Sequence, residues 1–214
     1  MLPWFVPAFK IMRNVDAAAG LKINIGAGLS GAAGWFNIDN SPTVLISRIP
    51  LARKLLKTPQ WPKDVRRFDV RKGLPFPDQS AIYIYSSHTF EHFTWAESVV
   101  VAKECFRVLR PGGVVRIVVP DLELIVRRYL AEGDALAAQR LLQRLSLSHT
   151  FNDLIHPGAN HSQMFDRRSL IHLLQTAGFD KPEVSQFMQS RIPEVGRLDL
   201  EQRKSESLYV ESLR

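Results

Sequence analysis

The stretch Leu21-Lys22-Ile23-Asn24-Ile25-Gly26-Ala27-Gly28-Leu29-Ser30-Gly31-Ala32-Ala33-Gly34-Trp35-Phe36-Asn37-Ile38-Asp39 decides the fold. An apolar run (Leu21, Ile23, Ile25) breaks into glycines, and a second short run (Trp35, Phe36, Ile38) ends on Asp39. Glycines after a strand let the backbone approach a ligand closely, because no Cβ stands in the way. A carboxylate at the end of the next strand can accept hydrogen bonds from both hydroxyls of a ribose. The pattern predicts a nucleotide-type cofactor at the carboxyl edge of a parallel sheet. Gly26, Gly28 and Gly31 match the dinucleotide fingerprint letter by letter, but Asp39 lies only 11 residues past Gly28. The fingerprint needs a helix there and an acidic residue about 20 residues on. The count disfavours a nicotinamide cofactor and predicts a loop or single turn between strands one and two.

Outward from this stretch, strands and helices alternate. Leu45, Ile49, Ala52 and Leu56 recur at helical spacing, with Pro50 placed to split the helix. Pro59 and Pro62 mark a loop, and a short third strand covers Arg67–Val70. A fourth strand, Ala81–Tyr85, runs into Ser86, Ser87 and His88. Val99, Ala102, Phe106 and Leu109 give the next helix, which Arg110-Pro111-Gly112-Gly113 stops before the β-branched strand Val114–Val119. This order predicts one α/β domain over 1–214 with a doubly wound sheet. Residues 1–20 read as an N-terminal extension in which Phe9, Met12 and Val15 line one side of a short helix. It packs on the domain or lies on a membrane surface. Residues 121–166 form an insertion of lid type, with helices over 122–131 and 135–147. The helix of Leu170, Leu173, Leu174 and Ala177 closes at Gly178, and 184–187 and 207–212 are the last strands.

Composition bounds the function. A chain of 214 residues, 45% hydrophobic and 23% charged, suits one soluble domain. The single cysteine, Cys105, excludes an internal disulfide and a multi-cysteine zinc site, and its apolar helical surroundings predict a buried thiol. There is no apolar run of bilayer-spanning length and no signal-peptide order at the start, so a cytoplasmic location is expected. Nine basic and two acidic residues between Arg48 and Lys72 carry the whole net charge of +7. Such a segment attracts an anionic partner (phosphorylated glycan, lipid headgroup or nucleic acid) or serves as a solvated face.

Four stretches are similar to the class I S-adenosylmethionine-dependent methyltransferases, in particular the type 11 group. They are Asn24–Gly28; Asp69-Val70 with Leu74-Pro75-Phe76-Pro77-Asp78; Ser86–His92; and Glu104-Cys105-Phe106-Arg107-Val108-Leu109-Arg110-Pro111-Gly112-Gly113. The resemblance spans about 21–119, with a fainter echo from His161 to Phe179. It implies a Rossmann-like, mostly parallel sheet of order 3-2-1-4-5-7-6. It also implies S-adenosyl-L-methionine as cofactor. Asn24, Gly26, Ala27 and Gly28 would line its methionine and ribose part, and Asp39 would hold the ribose hydroxyls. Asp69 and Val70 would meet the adenine, and Ser86, Ser87 and His88 would face the methyl. Asn24 replaces the acidic residue usual in the family, keeping an acceptor without the charge.

Methyl transfer to a hydroxyl benefits from a base, and histidine suits the role near neutral pH. His88, His92 and His161 are the candidates, with His92 also readable as a fold contact. His149, His156 and His161 are spaced by 7 and 5 residues, which fits no familiar ligand pattern, so no metal site is expected. The resemblance implies O-methylation of a small molecule, glycan or cell-surface polysaccharide precursor, with peripheral membrane contact open. An RNA methyltransferase, a non-catalytic cofactor-binding protein and an NAD-dependent oxidoreductase are the alternatives. No nucleophilic cysteine follows strand five, and no nucleic-acid-binding module is appended.

Overall fold

The computed structural model describes residues 20–133, 139 and 161–214. The N-terminal extension up to residue 19, the helix expected over 135–147 apart from residue 139, and His149 and His156 lie outside the described residues. Seven strands form one sheet: β1 Leu21–Ile25, β2 Phe36–Asp39, β3 Arg66–Arg67, β4 Ala81–Ser87, β5 Leu109–Pro120, β6 Glu183–Ser185 and β7 Ser207–Leu213. Their spatial order is β3-β2-β1-β4-β5-β7-β6, as the resemblance implies. All neighbours pair in parallel except β7, which runs antiparallel to both β5 and β6.

Between β1 and β2 the chain makes turns and no helix, as the short Gly28–Asp39 spacing predicts. Two short helices follow, α1 Thr43–Ile46 and α2 Pro50–Leu55, divided where Pro50 takes the first position of the second. Two of the boundary shifts have a visible cause. The third strand covers Arg66–Arg67, because Asp69 turns the chain by accepting from Arg71 N at 3.2 Å and capping a 3-10 turn over Val70–Lys72. Arg110–Gly113 also does not separate helix from strand as a free turn. Ala81 pairs with Leu109 and Tyr83 with Val114, so these four residues form an irregularity within β5.

Residue alternation along the strands builds two different faces. On one, Ile23, Ile25, Ile84, Val115, Ile117 and Val119 pack under α3 (Trp95–Val108) and α5 (Arg167–Ala177). Cys105 is buried among them, and that burial, ahead of the neighbouring Glu104 carboxylate, pushes its thiol up to about 12. Each helix starts at a reciprocal cap, Thr94 with Glu97 and Asp166 with Ser169. Between them α4 (Leu122–Glu132) leaves the end of β5, capped by Asp121. The opposite face carries Asn24, Tyr85, Arg116, Tyr209 and Glu211, all buried.

The Leu74–Asp78 and Glu104–Arg107 motifs meet each other rather than the sheet edge. Glu104 Oε2 accepts from Leu74 N at 2.7 Å, while Arg107 donates to Leu74 O, Phe76 O and Asp78 Oδ1. They clamp the turn before β4 to α3.

Candidate active site

The carboxyl ends of β1 and β2 are laced together by the glycine loop. Gly26 N and Ala27 N both donate to Ile38 O, at 2.9 and 3.0 Å. Gly28 N donates to Asp39 Oδ2 at 3.0 Å, and Ser41 N to Asp39 Oδ1 at 2.8 Å. Each oxygen of Asp39 therefore accepts one backbone N–H and keeps a lone pair for a further donor. Gly26 has φ +70°, and a Cβ there would meet Thr89 Oγ1 at 1.8 Å. Gly28 has φ +56° and open space where its Cβ would stand, which leaves its backbone exposed to a ligand.

Asn37 holds the rest of that loop. Its amide nitrogen donates to Ala32 O, Trp35 O and Asp64 Oδ2; its oxygen accepts from Ala32 N and Asn24 Nδ2. Asn37 is fully buried, so these bonds stand in for the missing crossover helix.

A cavity of about 600 Å³ opens over this edge. Gly26, Gly28, Asp39, Asp69, Val70, Ser87, His88 and His92 line it, drawn from four separate stretches of chain. Its apolar walls are Leu29, Trp61, Phe68 and Phe93, and Arg203 reaches it from the segment before β7. The volume lies within the roughly 300–1,000 Å³ of small-molecule sites. Trp61 has its indole N–H on Thr43 Oγ1 at 2.9 Å. Its only sequence signal is a tryptophan between two prolines; Arg203 has none.

Four expected residues do not line the cavity. Asn24 points to the opposite sheet face, where its amide donates to Asn37 Oδ1 at 2.9 Å. The alternation that puts Ile23 and Ile25 in the core dictates this. Ala27 packs with Val44, Trp61 and Val65. Ser86 is buried within β4, and His161 lies behind His92, the two rings crossing at 81° with centroids 5.1 Å apart.

Asp69 is held by the fork of Arg71, Nε to Oδ1 at 2.8 Å and Nη2 to Oδ2 at 3.0 Å. That pair, foremost, keeps its carboxyl below the ordinary aspartate range. Asp69 stays ionised with lone pairs to spare, as a carboxylate has about four acceptor sites.

His88 leaves the end of β4 in the left-handed region, φ +50°, a conformation costly for a residue with a Cβ. Its Nε2 is 2.8 Å from Ser207 Oγ and its Nδ1 is 3.5 Å from Glu91 Oε1. His92 Nε2 lies 4.0 Å from the same Glu91 oxygen. With His161, whose ligating atom lies within 4.8 Å of those of Glu91 and His92, three imidazoles gather about one buried carboxylate. The sequence pointed to the histidines but not to Glu91.

The sheet order is that of the class I methyltransferase type of Rossmann-like fold. Residues 23–117 match the family described as "Methyltransferase domain". A curated protein of Mycolicibacterium smegmatis, described as "Probable S-adenosylmethionine-dependent methyltransferase", is 30% identical over 118 residues. The match covers 53% of this chain and 36% of that protein, so the chain spans about a third of its curated relative. A Thermotoga maritima structure described as "SAM-dependent methyltransferase, possible histamine N-methyltransferase" aligns with TM-score 0.52 and 17% identity, covering 96% of this chain and 86% of its own. The structure "PigF with SAH" aligns with TM-score 0.52 and 12% identity, over 94% and 53%. At these identities the structural likeness establishes the fold.

Proposed function

We propose that this chain is an S-adenosylmethionine-dependent O-methyltransferase acting on a glycan or on the lipid-linked precursor of one. The observation that carries the cofactor reading is the cavity's placement of two carboxylates, Asp39 and Asp69, either side of a backbone stripped of Cβ atoms at Gly26 and Gly28. These suit the two hydrogen-bonding ends of an adenosyl group, the ribose diol at Asp39 and the exocyclic amine at Asp69. When bound, S-adenosylmethionine supplies an electrophilic methyl on a sulfonium. The chain's own task is then to align an acceptor oxygen with it and to remove the hydroxyl proton.

His88 is the base this geometry favours. Glu91 faces its Nδ1 and orients the ring, leaving Nε2 to take the proton. Ser207 Oγ, beside Nε2, can relay that proton because a hydroxyl both donates and accepts.

The acceptor class rests on the surface beside the cavity. Next to the wall formed by Ser41, Thr43 and Trp61, α2 buries none of its residues. Ile49, Leu51 and Leu55 are 58%, 69% and 72% exposed, on the same short segment as Arg53 and Lys54. Exposed apolar side chains among cations suit an anionic lipid surface. Among the described residues no helix is long and apolar enough to cross a membrane.

A thermal-shift comparison tests the cofactor reading. S-adenosylhomocysteine should stabilise the chain, NAD and NADP should not, and Asp39→Ala should abolish the shift. Stabilisation by NAD alone would sink it. For the base, His88→Ala should lose methyl transfer to glycan acceptors and keep the S-adenosylhomocysteine shift. Transfer to RNA but to no glycan would overturn the acceptor class. For the surface, Leu51→Asp with Leu55→Asp should abolish co-sedimentation with phosphatidylglycerol vesicles.

A further inference from the structure

Glu91, His92 and His161 each present one ligating atom, and these atoms all lie within 4.8 Å of one another. From this geometry we infer a binding site for a single divalent transition-metal ion, zinc(II) by its donor set, at the rim of the cavity.

The donors are of the right kind. Two imidazoles and one carboxylate are the three-ligand set of zinc sites that keep a fourth position open. Imidazole nitrogen selects zinc and its transition-metal neighbours over magnesium or calcium, which take oxygen. Zinc bonds of about 2.0–2.1 Å put tetrahedral ligand atoms roughly 3.3 Å apart. Closing from 4.8 Å is within reach of small side-chain rotations.

The surroundings make the cluster a built one rather than a chance meeting on the surface. Glu91 is 1% exposed and His161 is 7% exposed. The two halves come from chain segments some 70 residues apart, joined by backbone. Ser162 N and Gln163 N both donate to Glu91 O, at 2.7 and 3.2 Å, and Ser162 Oγ donates to His92 O at 3.0 Å. Gln163 fixes the next turn through Ser98 Oγ at 2.7 Å. His161 is thereby held against the 3-10 turn of Phe90–His92. Outside the cluster His88 Nδ1 faces Glu91 Oε1 at 3.5 Å, the outer-shell contact that orients a ligating carboxylate. The spacings of the three downstream histidines hid this set, since its other two members lie before α3.

His92 also lines the cavity, so the ion would stand at its acceptor side. There an open coordination position can take an acceptor hydroxyl and lower its pKa, with the proton passing to His88. That use rests on the methyltransferase reading; the binding itself does not.

The test is isothermal titration of the whole, chelator-stripped protein with zinc chloride, followed by zinc-edge X-ray absorption on the wild type. One tight equivalent is expected, with two imidazoles and one carboxylate in the first shell. His161→Ala and Glu91→Gln should each weaken binding at least tenfold. No zinc uptake, or a shell without imidazole, would overturn the site. So would retention of zinc by His161→Ala alongside its loss in a His149→Ala and His156→Ala double variant. The wild-type spectrum decides the matter even where a variant fails to fold. A shift with S-adenosylhomocysteine and no zinc binding removes the metal site alone. Zinc binding without that shift supports the site and removes the cofactor reading.

Discussion

The two faces of the sheet are finished by opposite means. Under α3 and α5, side chains such as Val101, Leu170 and Leu173 meet the sheet in an apolar cluster. On the other face Arg116, wholly buried in the middle of β5, is the centre of an ionic knot. Its guanidinium donates to Asp199 at 3.1 and 2.6 Å, to Glu211 at 2.8 Å and to Ser185 Oγ at 2.6 Å. Two further bonds go to Gln186 O and Gln189 O, and Tyr209 lies under the cation with its centroid 4.8 Å away. Tyr85 completes the group through Leu198 O and Asp199. Burial, and then the Asp199 carboxylate, push its hydroxyl above the ordinary tyrosine range. The difference lies in what each face must organise. An apolar face needs only area and shape, whereas this one must fix the irregular chain of residues 186–203, which has little regular structure of its own.

The strongest way to break the comparison is Arg116→Ala. It strands Asp199 and Glu211 in the interior and should cost about 3–5 kcal/mol, read by urea denaturation. A triple variant with Arg116→Met, Asp199→Asn and Glu211→Gln should recover part of that loss; equal loss would mean the knot is no more than packing. On the apolar face Leu173→Ala should cost about 2–5 kcal/mol through cavity formation, with no dependence on pH. Asn37→Ala strips the β1–β2 loop of its hub and should cost about 1–3 kcal/mol, together with the S-adenosylhomocysteine shift. The smallest effect is at a helix end. Asp166→Ala should cost about 1 kcal/mol at neutral pH. The Ser169 side-chain hydrogen bond, foremost, lowers the Asp166 carboxyl in the folded state. Its contribution is therefore full above the unfolded aspartate pKa and fades as pH falls through the lower folded value. Wild type and variant should converge in stability in acid; a constant gap would refute the assignment.

The contrast between faces also explains what was legible in the sequence. Spacings of three and four along α3 and α5 betrayed the apolar face, and Gly28 to Asp39 betrayed the missing helix. Asp39, Asp69 and the run Ser87–His88 could be found because each ends or closely follows a strand, where topology gathers residues. Arg116 is hidden inside a β-branched run, because its partners stand 83 and 95 residues away. The side chain of Asn24 turns from the cavity for the related reason that its partner, Asn37, is chosen by strand register rather than by spacing. Glu91 and His161 meet only through the hydrogen bonds at Ser162 and Gln163, which no local pattern announces.

The position of β7 has a consequence for how the chain comes to be folded. It lies between β5 and β6, yet it is made after both. As the polypeptide leaves the ribosome, β1 to β5 can zip in sequence, but β6 has nothing to pair with until Ser207–Leu213 emerges. Through that interval the guanidinium of Arg116 waits for Glu211, and the open edge of β5 is exposed to strands of other molecules. Insertion of β7 is a late step that closes long loops, so it should govern the folding rate. Nascent chains stalled before residue 207 should then be the ones that chaperones bind.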